Sequence, residues 1–315
     1  MIETGECFRV PPDASRVRLD RYLSTVFPEQ SRSQIQAWIR AGSVLVNGAR
    51  VKTGYMLRAG DAVSLQVKPV AAESLPQPEA LPLEVIYKDD DLAVVEKPAG
   101  MVCHAGAGVS SGTLVNALLF HLGSLPTGQL LRPGIVHRLD KLTSGLLVVA
   151  RNPETHRALA QQFKRRLVKK EYLALVYGRP APPAGTIDFP LGRDLRDRKK
   201  ISVHSRRRRD AITHYREDAV YGPFSLLRVR IETGRTHQIR VHLAQIGHPV
   251  VGDTLYGGHR FRNLADRRLQ TAVREMQRHF LHAHRLEFCH PRTGRTLRFS
   301  SPLPQSLAEF IARLA

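Results

Sequence analysis

Along the first 67 residues, apolar positions recur first at helical and then at strand spacing. Leu19, Tyr22, Leu23 and Val26 form the stripe of an amphipathic helix, and Pro28 ends it. Ser31 followed by Gln34 has the pattern of a capping box, and Ile35, Trp38 and Ile39 mark a second helix that stops at Gly42. Val44-Leu45-Val46, Asn47-Gly48 and Ala49-Arg50-Val51 predict a hairpin with a tight turn. Gly60-Asp61 then leads into a last strand over 62–67. Residues 1–67 therefore read as a small αβ module. Residues 68–82 carry four prolines among Ala, Glu, Ser and Gln, a composition suited to an extended linker.

From residue 83 to 315 the pattern becomes strand-rich. Leu83–Tyr87 and Leu92–Glu96 flank Lys88-Asp89-Asp90-Asp91 and predict a hairpin. Thr113–Leu122 reads as a short helix, and Gly145–Ala150 as a strand buried on both faces. Asn152-Pro153 starts a helix with Leu159, Phe163 and Leu167 on its apolar stripe. Glu171–Tyr177, Leu226–Glu232 and Leu281–Phe288 are further strands, and Thr236–Ile246 a further helix. Mostly antiparallel strands with interspersed helices imply an α+β fold: a mixed-sheet domain preceded by the small αβ module.

Charge changes the picture from structure to partner. Lys and Arg number 48 against 28 Asp and Glu, a formal net charge of +20. Such an excess favours a polyanion through phosphate contacts and counterion release. A lipid surface would need an amphipathic or acylated anchor, which the chain does not show. No run approaches ~18 apolar residues, and the opening Met1-Ile2-Glu3-Thr4-Gly5-Glu6 lacks a basic region followed by an apolar core. Cys7, Cys103 and Cys289 lie too far apart for a metal knuckle or a disulfide framework. The expected partner is RNA, with no membrane, in a reducing cytoplasm.

Candidate chemistry concentrates in Gly134–Gly145, where Asp140 stands between His137-Arg138 and the turn Thr143-Ser144-Gly145. An apolar run, Leu146 to Ala150, follows at once. By itself this carboxylate could be a turn cap or a placed nucleophile. Arg240 is one step off the apolar side Ile239-Leu243-Ile246, which permits either a surface or an inward position. Tyr172 in a strand would by residue type alone be a core tyrosine.

Two resemblances sharpen these readings. Arg18-Leu19-Asp20-Arg21-Tyr22-Leu23, Ser31-Arg32-Ser33 and Val44–Gly48 resemble the S4 domain, a small RNA-binding fold; Arg32 and Arg40 are its expected RNA contacts. His137-Arg138-Leu139-Asp140 with Thr143-Ser144-Gly145, then Glu171–Gly178, Gly234–His242 and Gly247–Asp253 together resemble the RluA-type pseudouridine synthases. Lys97-Pro98-Ala99-Gly100 and Gly112–Asn116 also fit. Members with an S4 domain in front mostly modify large-subunit ribosomal RNA. The implied reaction detaches uracil from C1′ through N1 and rejoins it through C5. Nothing is oxidised and no group is added, so no cofactor and no metal is expected.

The resemblance implies Asp140 as nucleophile, with Arg240 as the guanidinium that favours its anion and Tyr172 as the aromatic that stacks on the flipped base. It implies Arg138 as the side chain that fills the place of the base, with His137, Arg235, His237 and Gln238 as further substrate or RNA contacts. Leu142 departs from the pattern, where many relatives carry an acid. Arg193–Arg209 holds nine Lys or Arg and two Asp, ending in Arg206, Arg207, Arg208 and Arg209. It reads as a basic hairpin reaching toward RNA. His279, His282, His284, Cys289 and His290 crowd twelve residues, but their spacing matches no zinc knuckle. Gly106-Ala107-Gly108 is a phosphate-loop echo without its strand-to-helix context. The expectation is a monomeric pseudouridine synthase acting on ribosomal RNA, in a pre-ribosomal particle or free. The alternatives are transfer RNA as substrate, or a noncatalytic RNA-binding or ribosome-assembly factor. A metal-dependent nuclease would need a carboxylate cluster that these motifs lack.

Overall fold

The computed structural model describes residues 7–28, 32–65, 75–106, 109–126, 132–197 and 200–314. The chain divides into two compact units with the boundary between Pro76 and Gln77; the second takes in Gln77–Pro126 and Gly134–Ala315. Ser31 and the Gln34 side chain of the expected capping box, residues 68–74 of the linker, and Ala107-Gly108 of the glycine loop lie outside what the structure describes.

The first unit is built from β1 (Cys7–Arg9), α1 (Leu19–Val26), α2 (Arg32–Ala41), β2 (Val44–Val46), β3 (Ala49–Arg50) and β4 (Ala62–Leu65). Its sheet runs in the order β1-β4-β2-β3. Leu19, Leu23, Ile35 and Ile39 from the two helical stripes close over Val44, Val46, Val63 and Leu65. Asn47 and Gly48 both take positive φ, 52° and 77°, which suits a type I′ hairpin turn. The short edge strand β1 escaped the sequence reading because Cys7-Phe8-Arg9 has no alternation to detect.

The second unit holds β5 (Glu84–Lys88), β6 (Leu92–Lys97), α3 (Leu114–Leu122), β7 (Ser144–Ala150), α4 (Pro153–Lys164) and β8 (Lys169–Tyr177). Then come β9 (Ala184–Asp188), β10 (Gly192–Arg193), β11 (Ile201–Ser202), β12 (Ile212–Tyr221), β13 (Phe224–Ile231) and α5 (Gln238–Gln245). The chain closes with α6 (Arg267–Glu275), β14 (Leu281–Cys289), β15 (Thr296–Ser300) and α7 (Gln305–Ala312). One nine-stranded sheet runs β5-β6-β7-β14-β8-β13-β12-β9, with β15 beside β14. Its ladders are antiparallel except β7 with β14, which is parallel. This is the expected α+β mixed sheet.

Both faces of the sheet are covered, so β7 is buried along its whole length and reads as an unbroken apolar run. Helix α3 starts where Thr113 Oγ1 accepts from Asn116 N while Asn116 Oδ1 accepts from Thr113 N. Helix α4 ends at Lys164, and Arg166 turns the chain with a φ of 60°, so Leu167 leaves the predicted stripe and is 59% exposed. Residues 77–81, read as part of a linker, are fixed to the second unit. Glu79 N donates to Asn116 O, Gly112 N donates to the Glu79 carboxylate, and Asn116 Nδ2 donates to Gln77 O. The proline-rich composition described their extended backbone but not the helix end that fixes them.

Candidate active site

Asp140 sits in the loop that feeds β7, and the loop is held along its length. Cys103 Sγ pairs with the backbone of Leu139 on one side. Thr143 N donates to Asp140 O, closing a turn at 3.1 Å. Lys97 is completely buried and its Nζ donates to the carbonyls of Pro98, Met101 and Lys141. Burial pushes this ammonium down to about 8, so it still carries charge at neutral pH. Behind the loop, Thr143 Oγ1 meets His279 Nε2 at 2.8 Å, and Ser144 Oγ accepts from Arg278 at 2.9 Å.

Gly145 is required by this geometry. Its φ is +115°, and a Cβ there would lie 2.4 Å from Ala283 O. Only a residue without a side chain lets β7 approach β14 this closely beside the loop. Gly145 pairs with Ala283, Ala283 with Tyr172, and Tyr172 with Val229. Tyr172 therefore stands in the same row as the start of β7, two strand spacings away, roughly 10 Å. Burial and the negative charge of Asp140 both push its phenol up, so it is protonated at neutral pH.

Helix α5 brings the counter-charge. Arg240 Nη1 donates to Asp140 Oδ2 at 3.2 Å. Its other edge makes a two-toothed contact with Asp253, Nε to Oδ2 at 2.6 Å and Nη2 to Oδ1 at 2.9 Å. The Arg240 and Asp253 side chains are 8% and 1% exposed, while that of Asp140 is 17% exposed. Thus Asp253 anchors the guanidinium from inside, and Asp140 meets its free edge at a point reachable from solvent. Burial alone would push Asp253 up, but its hydrogen bonds from Arg240 and the guanidinium charge outweigh burial and hold it below its ordinary value. Tyr256 adds its ring, 5.1 Å from the guanidinium carbon.

Of the sequence-predicted residues, the fold gathers Asp140, Tyr172, Arg240 and His237, with Arg138 exposed beside Asp140. Arg235 lies at the same helix start, its Nε donating to Asp210 O at 3.1 Å. Arg206 to Arg209 are all exposed; they follow the short β10–β11 hairpin and return to it by the Leu191–Arg209 bridge. Arg198 and Lys199, which fall between β10 and β11 in the sequence, are outside the described residues. Arg32 and Arg40 are exposed in the first unit, with Arg32 held at 2.9 Å by the buried carboxylate of Asp20.

Two expected RNA contacts have a different place. His137 Nε2 accepts from Val148 N at 3.0 Å, and its ring stacks on Phe163 at 4.5 Å. Burial pushes it down to about 3, so it is a neutral strut between β7 and α4. Gln238 is 3% exposed and bonds Thr213, Thr233 and the carbonyl of Ile212. It fastens the start of α5 to β12. Their motifs are rich in polar residues for internal reasons that sequence alone does not separate from RNA contact.

The histidine-rich segment spreads out rather than converging. His279 faces Thr143, His282 bonds Ser144 and Ser301, and His290 meets Asp89 at 3.0 Å. Asp89, Asp91 and His290 do lie within 4.8 Å of one another, but Tyr87, Asn152 and Arg292 already donate to these carboxylates. Asp253 and Tyr256 had been assigned no role from sequence. The available signal was Gly252-Asp253, an acid placed in a turn directly after the apolar pair Val250-Val251.

Comparison with known proteins identifies the family. The RNA pseudouridylate synthase family profile matches residues 91–245, and the S4 domain profile matches 17–63. A ribosomal large subunit pseudouridine synthase D of Xanthomonas campestris is 43% identical over 97% of this chain and 91% of the relative. A protein of the same name from Pseudomonas aeruginosa is 41% identical over 97% of this chain and 94% of the relative. Human RNA pseudouridylate synthase domain containing 4 superposes with a TM-score of 0.55 at 26% identity, over 73% of this chain and 92% of that one. The chain belongs to the RNA pseudouridylate synthase family, and is an isomerase of RNA uridine with an S4 domain at its N-terminal side. Among the described residues no helix is long and apolar enough to cross a membrane.

Proposed function

We propose that this protein converts particular uridines of large-subunit ribosomal RNA to pseudouridine, with Asp140 as the reacting carboxylate. The observation that carries the reading is the Asp140–Arg240–Asp253 arrangement at 3.2, 2.6 and 2.9 Å, with Tyr172 in the same sheet row as the start of β7. Two carboxylates share one guanidinium, and the outer one meets it at the mouth by the single bond from Nη1, while the inner one takes two. A uridine turned out of its stack brings its C1′–N1 bond to this carboxylate and its ring to Tyr172. The protonated phenol acts first as a stacking surface. The glycosidic bond breaks, the base turns, C5 joins C1′, and the C5 proton is lost while N1 gains one. Exposed Arg138 supplies a planar cation to occupy the gap in the stack. The relatives named for large-subunit ribosomal RNA support that substrate, and on this reading the enzyme acts in the cytoplasm as a single chain.

The test is tritium release from C5-labelled ribosomal RNA, together with mapping of pseudouridine in total RNA from a strain lacking the gene. Loss of defined sites in large-subunit RNA, restored by the wild-type gene, is the expected result. Loss confined to transfer RNA, or at no site, would overturn the substrate assignment.

Replacing Arg206, Arg207, Arg208 and Arg209 by alanine is expected to weaken RNA binding. The slope of log affinity against log salt should flatten by up to ~0.7 per lost single-strand phosphate contact. Titration at several salt concentrations checks this, and an unchanged slope would mean that the run is merely solvated.

A further inference from the structure

We propose that Tyr256 is a positioning residue that couples the basic hairpin to the catalytic-site guanidinium of Arg240. The inference rests on the assignment of Arg240 and Asp140 made above. Its origin is a chain of contacts centred on one hydroxyl. Ile201 N, in β11 of the hairpin, donates to Tyr256 Oη at 2.9 Å. The same oxygen lies 2.8 Å from His237 Nδ1. Burial pushes His237 below its ordinary value, so the ring is neutral at pH 7 and Nδ1 can accept the phenolic proton.

His237 is the N-cap of α5, held in the left-handed region with a φ of 55°. That conformation is uncommon for a residue other than glycine, although histidine adopts it more readily than most. Three residues on, one helical turn away, is Arg240, and the Tyr256 ring lies 5.1 Å from its guanidinium. The Tyr256 backbone is fixed from the other side, where its N–H donates to Asp253 Oδ1 at 3.2 Å. One tyrosine thus touches the hairpin, the cap of α5, the guanidinium and the carboxylate that anchors it.

The hairpin also rests on α5 through carbon. Leu191, Val203 and Ala211 pack with Val241, and Ile201 and Tyr256 join this small cluster. The exposed arginines 206–209 extend from the same segment. RNA that engages them therefore pulls on a hairpin that the phenol ties to the N-cap of α5, beside the bond from Arg235 Nε to Asp210 O. In the wild type, RNA bound on the hairpin favours the one placement of α5 in which Arg240 meets both carboxylates.

The variant Tyr256→Phe isolates this link, because it keeps the ring, the apolar cluster and the backbone bond while deleting both hydroxyl contacts. The expected loss in kcat is roughly tenfold, with KM for RNA within about twofold and the melting temperature nearly unchanged. The decisive measurement is a double-mutant cycle with the four-arginine variant, measured at saturating RNA on the full-length protein. Coupling predicts that the two losses in kcat overlap, so the combined variant is no slower than the slower single one. Multiplying losses would overturn the proposal, since a merely structural tyrosine acts independently of the hairpin. A second readout needs no activity: trypsin should cut within 193–209 several-fold faster in Tyr256→Phe, and an unchanged rate would equally overturn the link. Asp140→Ala, assayed alongside, reports on the underlying reading, because its retention of activity would sink the site assignment without touching the proteolysis result.

Discussion

Asp140→Ala is expected to abolish tritium release from C5 of uridine, by more than ~10⁴-fold, equivalent to above ~5 kcal/mol of transition-state stabilisation. Asp140→Asn should fail to a similar degree, because the amide keeps the shape and a hydrogen-bonding oxygen but has no negative charge. Neither change should unfold the protein. Asp140 accepts one hydrogen bond at 3.2 Å from a guanidinium that Asp253 continues to hold with two. RNA affinity should also survive within a few-fold, since the cations that meet phosphate lie elsewhere on the surface. Activity and stability are thus separable at this position. Turnover by purified Asp140→Ala would end the assignment.

Arg240→Leu should act on both. It strips the counter-charge from two carboxylates at once, and one of them, Asp253, is 1% exposed. Breaking one partner out of a buried pair costs about 3–5 kcal/mol, far above a surface pair. The pH dependence identifies the cause. In the wild type Asp253 is held below its ordinary value near 3.8, so its stabilising share is present above about pH 4 and is lost as pH falls toward the depressed value. In the variant, burial has no opponent from Arg240 and raises the carboxyl instead. The deficit is then largest near neutral pH and shrinks as acid protonates Asp253. Denaturant midpoints of wild type and variant at pH 5 and pH 7.5 decide this: a gap that does not narrow at the lower pH would place the loss in packing rather than charge. Catalysis should fall as well, because Asp140 loses its only ion pair among the described residues.

The helices and strands that the sequence revealed were legible because their apolar spacing answers to a core that lies on one side or on both, whereas β1, β9, β15, α6 and α7 were not read from it. Leu19, Leu23, Ile35 and Ile39 show the first case, and Leu146 to Ala150 the second. Asp140, Tyr172 and Arg240 were legible only through the resemblance of four ordered motifs, since each residue type has a commoner structural use. His137 and Gln238 show the converse. They share those motifs, yet their nitrogens are spent on Val148 N, Thr213 and Ile212 O inside the fold. A motif marks residues that must be kept and does not say which way they point.

Local sequence determined the order of elements, the excess of positive charge, the hairpin turns and the place of an acid before a buried strand, because each depends on neighbours a few positions away. Tertiary structure alone decided which charges meet. Asp140 and Arg240 are 100 residues apart in the chain, and the acid that anchors the arginine lies 13 further on. Their pairing depends on β7 running parallel to β14 past Gly145, and on α5 being pinned to β12 by Gln238. Such long-range closures leave no periodic trace in the sequence, since the energy that selects them comes from desolvating and matching groups that only the folded chain brings together.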